Sequence, residues 1–207
     1  MSIRNQLTSD KMDMLKEAGN IGAGHAVSAL SQLLERPVNM SIAKVNVKDI
    51  SELSQVLGDE EKYIAAMIIE VYGDLNAMLL LALEAESARE LVKLILKQQD
   101  MNPIEGEFSE FDYSVLCETG NILAGSYLNA LGTLANLELT PSVPQAAIDM
   151  AGAILSFAAA EFTQDDNAMM FIETKFNDDE ELLNGTYILA LDKKSLECII
   201  NSLGNLL

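Results

Sequence analysis

Tryptophan is absent from this 207-residue chain, histidine occurs once and cysteine only twice. Cys117 and Cys198 stand far apart in apolar stretches, with neither CxxC nor Cys/His ligand spacing. That pattern gives no support to a disulfide framework or a zinc site, and both cysteines read as small core residues. Positive charge is also scarce: 13 Lys and Arg face 32 Asp and Glu, for a net charge of −19. Such a surface repels phosphate backbones and anionic lipid, so nucleic acid and membrane are poor partners, whereas a protein with a basic face would associate faster. No apolar run approaches the roughly 20 residues needed to span a bilayer. The opening MSIRNQLTSDKMD has no apolar export core, so a cytoplasmic protein is expected.

What is abundant is apolar content, 49% of residues, enough for a sizeable core. It is arranged twice. Sliding the chain by 101 positions sets LKEAGNIGAGHAVSALSQL (15–33) on LCETGNILAGSYLNALGTL (116–134). Over 13–43 against 114–144 there are 11 identities, where roughly two are expected between unrelated chains of ordinary composition. At an offset of 108, LNAMLLLALE (75–84) matches LNGTYILALD (183–192). The change of offset locates about seven extra residues in the second half, near 144–162.

Period and punctuation supply a coarse assignment. Small or apolar residues at helical spacing over 9–35, caps at Thr8, Ser9 and Asp10, and Pro37 beyond predict a long helix. A strand over 38–48 and a short helix at 50–57 follow. Two strands then join at Gly73-Asp74, and residues 85–98 form a helix. The span 100–108, with Pro103 and Gly106 and no periodicity, is a linker. Ser109-x-x-Asp112 opens a second long helix to about 136. A strand near 138–143, a helix at 144–160, strands near 168–177 and 185–191 and a last helix at 193–203 complete the chain. Short strands that cannot bury both faces alone merge most simply across a pseudo-twofold axis. The fold expected is α/β of the α+β kind: a duplicated αβ(α)ββα unit with one shared, largely antiparallel sheet flanked by helices. It forms one domain over 1–207, with repeats at 9–99 and 109–204. Since duplication already supplies the symmetry of a homodimer, a monomer is expected.

On a helix, Asp13, Glu17 and Asn20 share one face, and the second repeat returns Ser114, Glu118 and Asn121 there. A solvated face is ordinarily polar and drifts, yet both halves keep Glu-x-Gly-Asn-Ile-x-Ala-Gly. Mid-helix Gly19, Gly24, Gly120 and Gly125 each cost about 1 kcal/mol relative to Ala. They imply either close approach of a partner surface or close packing against the sheet or the other helix. The face holds no Ser/His/Asp or Cys/His arrangement, and His25 is replaced by Ser126 in the second half. No metal-ligand cluster is evident, and Gly22-x-Gly24 lies within a helix rather than after a strand. A carboxylate and a carboxamide can, however, complete an active site that another protein mostly supplies: Glu pairs with a lysine and Asn holds a water in line.

At these residues the chain resembles the CheC/CheX/FliY family of chemotaxis phosphatases, whose signature is [Asp/Ser]-x3-Glu-x2-Asn-x22-Pro. Ser114, Glu118, Asn121 and Pro144 meet it in full; the first half has Asp13, Glu17 and Asn20 but Ala43 in place of the proline. The resemblance implies hydrolysis of the aspartyl phosphate of the response regulator CheY, with Mg²⁺ supplied by the regulator. Glu17 and Glu118 would pair with the regulator's lysine, and Asn20 and Asn121 would orient the water. It further implies binding of the receptor deamidase CheD through the helix expected at 144–160, with Ile148, Asp149 and Met150 as contacts. The alternative is a non-catalytic module that binds CheY or CheD, or a scaffold like the flagellar switch proteins.

Overall fold

Two helices of equal length carry the repeat, and each is fixed at both ends by local chemistry. Helix α1 (Ser9–Leu34) is capped by Thr8, whose side chain accepts from the Lys11 N–H, and ends at Glu35 in the left-handed region. Helix α3 (Glu110–Ala135) opens on the reciprocal bonds between Ser109 and Asp112 anticipated above and ends at left-handed Asn136. These elements come from a computed structural model that describes residues 7–49, 57, 59–97, 107–162, 168–180 and 182–204.

Between and after the long helices lie β1 (Val38–Met40), β2 (Lys44–Asp49), β3 (Tyr63–Gly73), β4 (Ala77–Glu84) and α2 (Ala85–Ile95). The second half returns β5 (Leu139–Pro141), β6 (Gln145–Met150), α4 (Ala151–Phe162), β7 (Ala168–Asp178), β8 (Asn184–Leu191) and α5 (Lys193–Gly204). All pairings are antiparallel, in the order β1-β7-β8-β4-β3-β5, with β2 also on β7 and β6 also on β3. The centre is the β4–β8 pair, one strand from each half.

The halves exchange their edges. Strands β1 and β2 pair with β7 of the second half, and β5 and β6 pair with β3 of the first. Neither half therefore owns a complete sheet, so the duplication folds as one core. An ion pair strengthens this crossing: the Arg36 guanidinium, just past α1, meets the buried Asp178 carboxylate at the end of β7. Asp178 also accepts from the Leu183 N–H at 2.9 Å.

One sheet face packs under α1, α2, α3 and α5, through Met67, Leu79, Leu81, Ile172 and Leu189 among others. The opposite face carries Ile64, Leu80, Phe171 and Ile188, covered by Ala151, Ile154 and Leu155 of α4. Tyr187 lies in the first core with its hydroxyl unpartnered among the described residues, and burial pushes its pKa well above the ordinary tyrosine value. A buried hydroxyl without a partner costs stability, so Tyr187→Phe is expected to stabilise the fold by about 1 kcal/mol, read as a raised urea midpoint at unchanged m-value.

Four expectations need correction. The helix expected at 144–160 is a strand, β6, followed by a helix that starts only at Ala151. Its Ala-rich sequence favours a helix, but the open edge of β3 pairs with Gln145–Met150 and prevails. Ile148, Asp149 and Met150 thus lie on an edge strand before the helix. The single strand expected over 38–48 is two, β1 and β2. The extra residues of the second half are divided: the connection at 151–167 is longer than that at 50–62, and the hairpin turn at 179–183 is longer than that at 74–76. The helix expected at 50–57 lies, apart from Leu57, outside the described residues, as does the linker up to 106. Cys117 and Cys198 are free and half-buried rather than fully in the core.

Candidate functional site

The break between β1 and β2 builds the site. Met40 pairs with Phe176 and Lys44 with Glu173, so Ser41, Ile42 and Ala43 stand opposite only two residues of β7. In the second half Pro141 pairs with Val71 and Gln145 with Ile68, so Ser142, Val143 and Pro144 stand opposite two residues of β3. Each is a bulge of one extra residue. A serine pins each in the same way. The Ser41 N–H donates to Lys175 O at 2.8 Å while the Ser41 hydroxyl accepts from the Lys175 N–H at 3.1 Å. Ser142 does the same with Glu70, at 2.8 and 3.0 Å.

The extra residue turns two side chains in opposite directions. Ala43 and Pro144 are buried beneath the long helices, while Ile42 and Val143 stand 74% and 83% exposed. Two glycines complete the approach of helix to bulge. A Cβ at Gly19 would overlap the Ile172 side chain and lie 3.1 Å from Ala43 Cβ. At Gly120 it would lie 3.0 Å from Met67 Cβ and 3.7 Å from Pro144 Cβ. These two glycines therefore serve packing on the sheet.

Gly24 and Gly125 do not. A Cβ at Gly125 meets nothing within 4 Å, and at Gly24 only Met40 Sδ at 3.8 Å. Both lie seven residues after the glutamate, on the stripe of Glu17 and Asn20 or of Glu118 and Asn121. Among the described residues nothing requires glycine there.

On this frame Glu17, Glu118 and Asn121 are exposed and Asn20 is half-buried. The structure brings the members of each half together on one helix face. Asp13 pairs with Lys16 at 2.9 Å, and the exposed Ser114 donates its hydroxyl proton to Glu110 O at 2.9 Å. Asn20 Oδ1 accepts from the Ala43 N–H at 2.7 Å. Asn121 has no such bond, because Pro144 carries no N–H. Exposed Phe111 and Ile122 add apolar surface to the α3 face.

Sequence reasoning missed Ile42 and Val143, along with the serines that position them. The identity of Ser41 and Ser142 within the repeat was the available signal. Asp149 and Met150 are exposed at the β3/β6 edge, whereas Ile148 turns toward the core under the long helices. Among the described residues no group of three or more His, Cys, Asp or Glu converges to hold a metal ion. No described helix is long and apolar enough to cross a membrane.

The chain is 32% identical to the CheY-P phosphatase CheC of Bacillus subtilis over 206 residues, 99% of each protein. It belongs to the CheC-like family. The family's own pattern matches at residues 11–41 and 112–148, spans that hold both Glu/Asn faces and the second bulge, the first span ending at Ser41 where the first bulge begins. Among solved structures, FliY of Thermotoga maritima superposes with a TM-score of 0.74 at 19% identity, over 96% of this chain and 98% of that one. CheX in the CheX–CheY–BeF3–Mg²⁺ complex of Borrelia burgdorferi superposes at 0.54 and 15% identity, over 87% and 97%. These two likenesses establish the α+β fold that the CheC-like chain shares with them.

Proposed function

We propose that this CheC-like protein hydrolyses the aspartyl phosphate of a CheY-type response regulator, presenting two Glu/Asn faces to the regulator's active site. The observation that carries this is the double construction of one face: exposed Glu, neighbouring Asn, a glycine one turn on, and an apolar residue raised on a serine-pinned bulge. Packing alone gives no reason for both halves to keep an exposed carboxylate with a carboxamide three residues on.

The regulator contributes the phosphorylated aspartate, a lysine and Mg²⁺. Glu17 or Glu118 pairs with the lysine, drawing the helix into place, and Asn20 or Asn121 holds the attacking water. Water oxygen bonds to phosphorus, the bond from phosphorus to the aspartyl oxygen breaks, and the carboxylate leaves with the electron pair. The proton of the water passes to the released phosphate. Asn has no useful basicity, so its contribution is positional. The acidic surface steers the chain toward a basic rim on the regulator.

Decay of a phosphorylated regulator at matched Mg²⁺, with and without this protein, tests the reading. Faster decay supports it; unchanged decay leaves a binding module. Ile42→Ser and Val143→Ser together are expected to raise KM about tenfold with kcat little changed, since an exposed apolar side chain contributes about 1–3 kcal/mol when covered. Gly125→Ala is expected to raise stability by about 1 kcal/mol, because the Cβ meets open space, yet to lower kcat/KM at that site. Thermal melts and regulator-decay kinetics on one preparation read both effects.

The same proposal extends to the deamidase CheD as a second partner. Asp149 and Met150, with exposed Tyr63 paired to Met150 on β3, form a mixed acidic and apolar patch at the edge of the sheet. That patch supports a contact separate from the Glu/Asn faces.

A further inference from the structure

We infer that the two sites differ in turnover, and that the difference is set by one backbone N–H: the Ala43 amide clamps the Asn20 carboxamide in the less productive orientation, while Pro144 leaves Asn121 unclamped. The inference rests on the phosphatase reading above. It starts from the hydrogen bond of 2.7 Å from the Ala43 N–H to Asn20 Oδ1. A backbone N–H can bond only the oxygen of the carboxamide, so the orientation of this amide is chemically determined. Oδ1 faces the bulge and Nδ2 is the end left for a partner.

The consequence lies in how a carboxamide activates water. A water that donates a proton to Oδ1 gains electron density on its oxygen and keeps its lone pairs for phosphorus. A water that accepts from Nδ2 has one lone pair engaged and is the weaker nucleophile. At site one the carbonyl oxygen has already spent one of its two lone pairs on Ala43 and is turned toward it. At site two the corresponding residue, Pro144, has no N–H, and the exposed Asn121 presents either end of its amide. The bulges and the glycine contacts are otherwise alike in the two halves. This makes the residue beneath the Asn a positioning residue: it acts on the water only through the carboxamide.

The test isolates each site. In an Asn121→Ala background, which leaves only site one, Ala43→Pro removes the clamp. In an Asn20→Ala background, which leaves only site two, Pro144→Ala supplies an N–H. Regulator-phosphate decay over a range of regulator concentrations separates kcat from KM. We expect Ala43→Pro to raise kcat about fivefold and Pro144→Ala to lower it by a similar factor, one neutral hydrogen bond's worth, with KM within about twofold. The second variant adds no ring and keeps the inference open to refutation if the first does not fold. Unchanged kcat in the folded variants, or a change confined to KM, would overturn it. If neither single-Asn parent accelerates decay, the phosphatase reading fails and the inference with it. Active parents with unmoved variants defeat the inference alone.

Discussion

Replacing Asn20 and Asn121 together by Ala is expected to slow hydrolysis of the regulator's phosphate to within a fewfold of its spontaneous rate, while lowering the melting temperature by only about 2–4 °C, the cost of one hydrogen bond to the bulge. Neither side chain belongs to the core: Asn121 is exposed, and Asn20 contributes one hydrogen bond to the bulge. Losing a group that positions the attacking water costs about 100-fold in kcat, or ~2.7 kcal/mol of transition-state stabilisation. Each single variant retains the activity of the other half. Because the sites are expected to be unequal, Asn121→Ala removes the larger share.

The second large effect concerns stability. Arg36→Met is expected to destabilise the protein by about 3 kcal/mol, lowering its melting temperature by roughly 6–12 °C. The Asp178 carboxylate is buried, and without the guanidinium it keeps only the Leu183 N–H as a partner in the described structure. The cost is therefore that of an uncompensated buried charge rather than of a surface ion pair. Adding Asp178→Leu should recover most of the loss, because an apolar pair of similar volume avoids desolvating two charges. A denaturant series on the two single variants and the double variant reads the coupling. The same pair joins the end of α1 to β7, so its loss also loosens the exchange of edges that makes the two halves one core.

What the sequence disclosed was local or repeated. The long helices, their caps, the Gly73-Asp74 hairpin and the terminal helix follow from periodicity and from residues that satisfy their own neighbours. The Glu/Asn faces were legible because duplication showed which polar positions do not drift. The strand at Gln145–Met150 was not legible: QAAIDM reads as helix in isolation and becomes a strand only because β3, from the other half, offers an edge. For the same reason Pro144 reads as a helix start, whereas it closes a bulge under α3. The bulges depend on register between segments 134 positions apart at Ser41 and Lys175 and 72 apart at Ser142 and Glu70, which no local pattern encodes. The Arg36–Asp178 pair, separated by 142 positions, is equally invisible. Ala43, met as a departure from the family signature, gains its meaning only from the hydrogen bond it makes to Asn20.

If Glu holds the regulator while Asn holds the water, binding and turnover should separate in a single protein. The most direct measurement is the affinity of the Asn20→Ala/Asn121→Ala variant for a regulator activated with beryllium fluoride, taken beside its rate of phosphate hydrolysis. The expected result is an affinity within about threefold of the unaltered protein and hydrolysis near the spontaneous rate. Hydrolysis that persists, or an affinity that disappears together with it, would contradict the assignment.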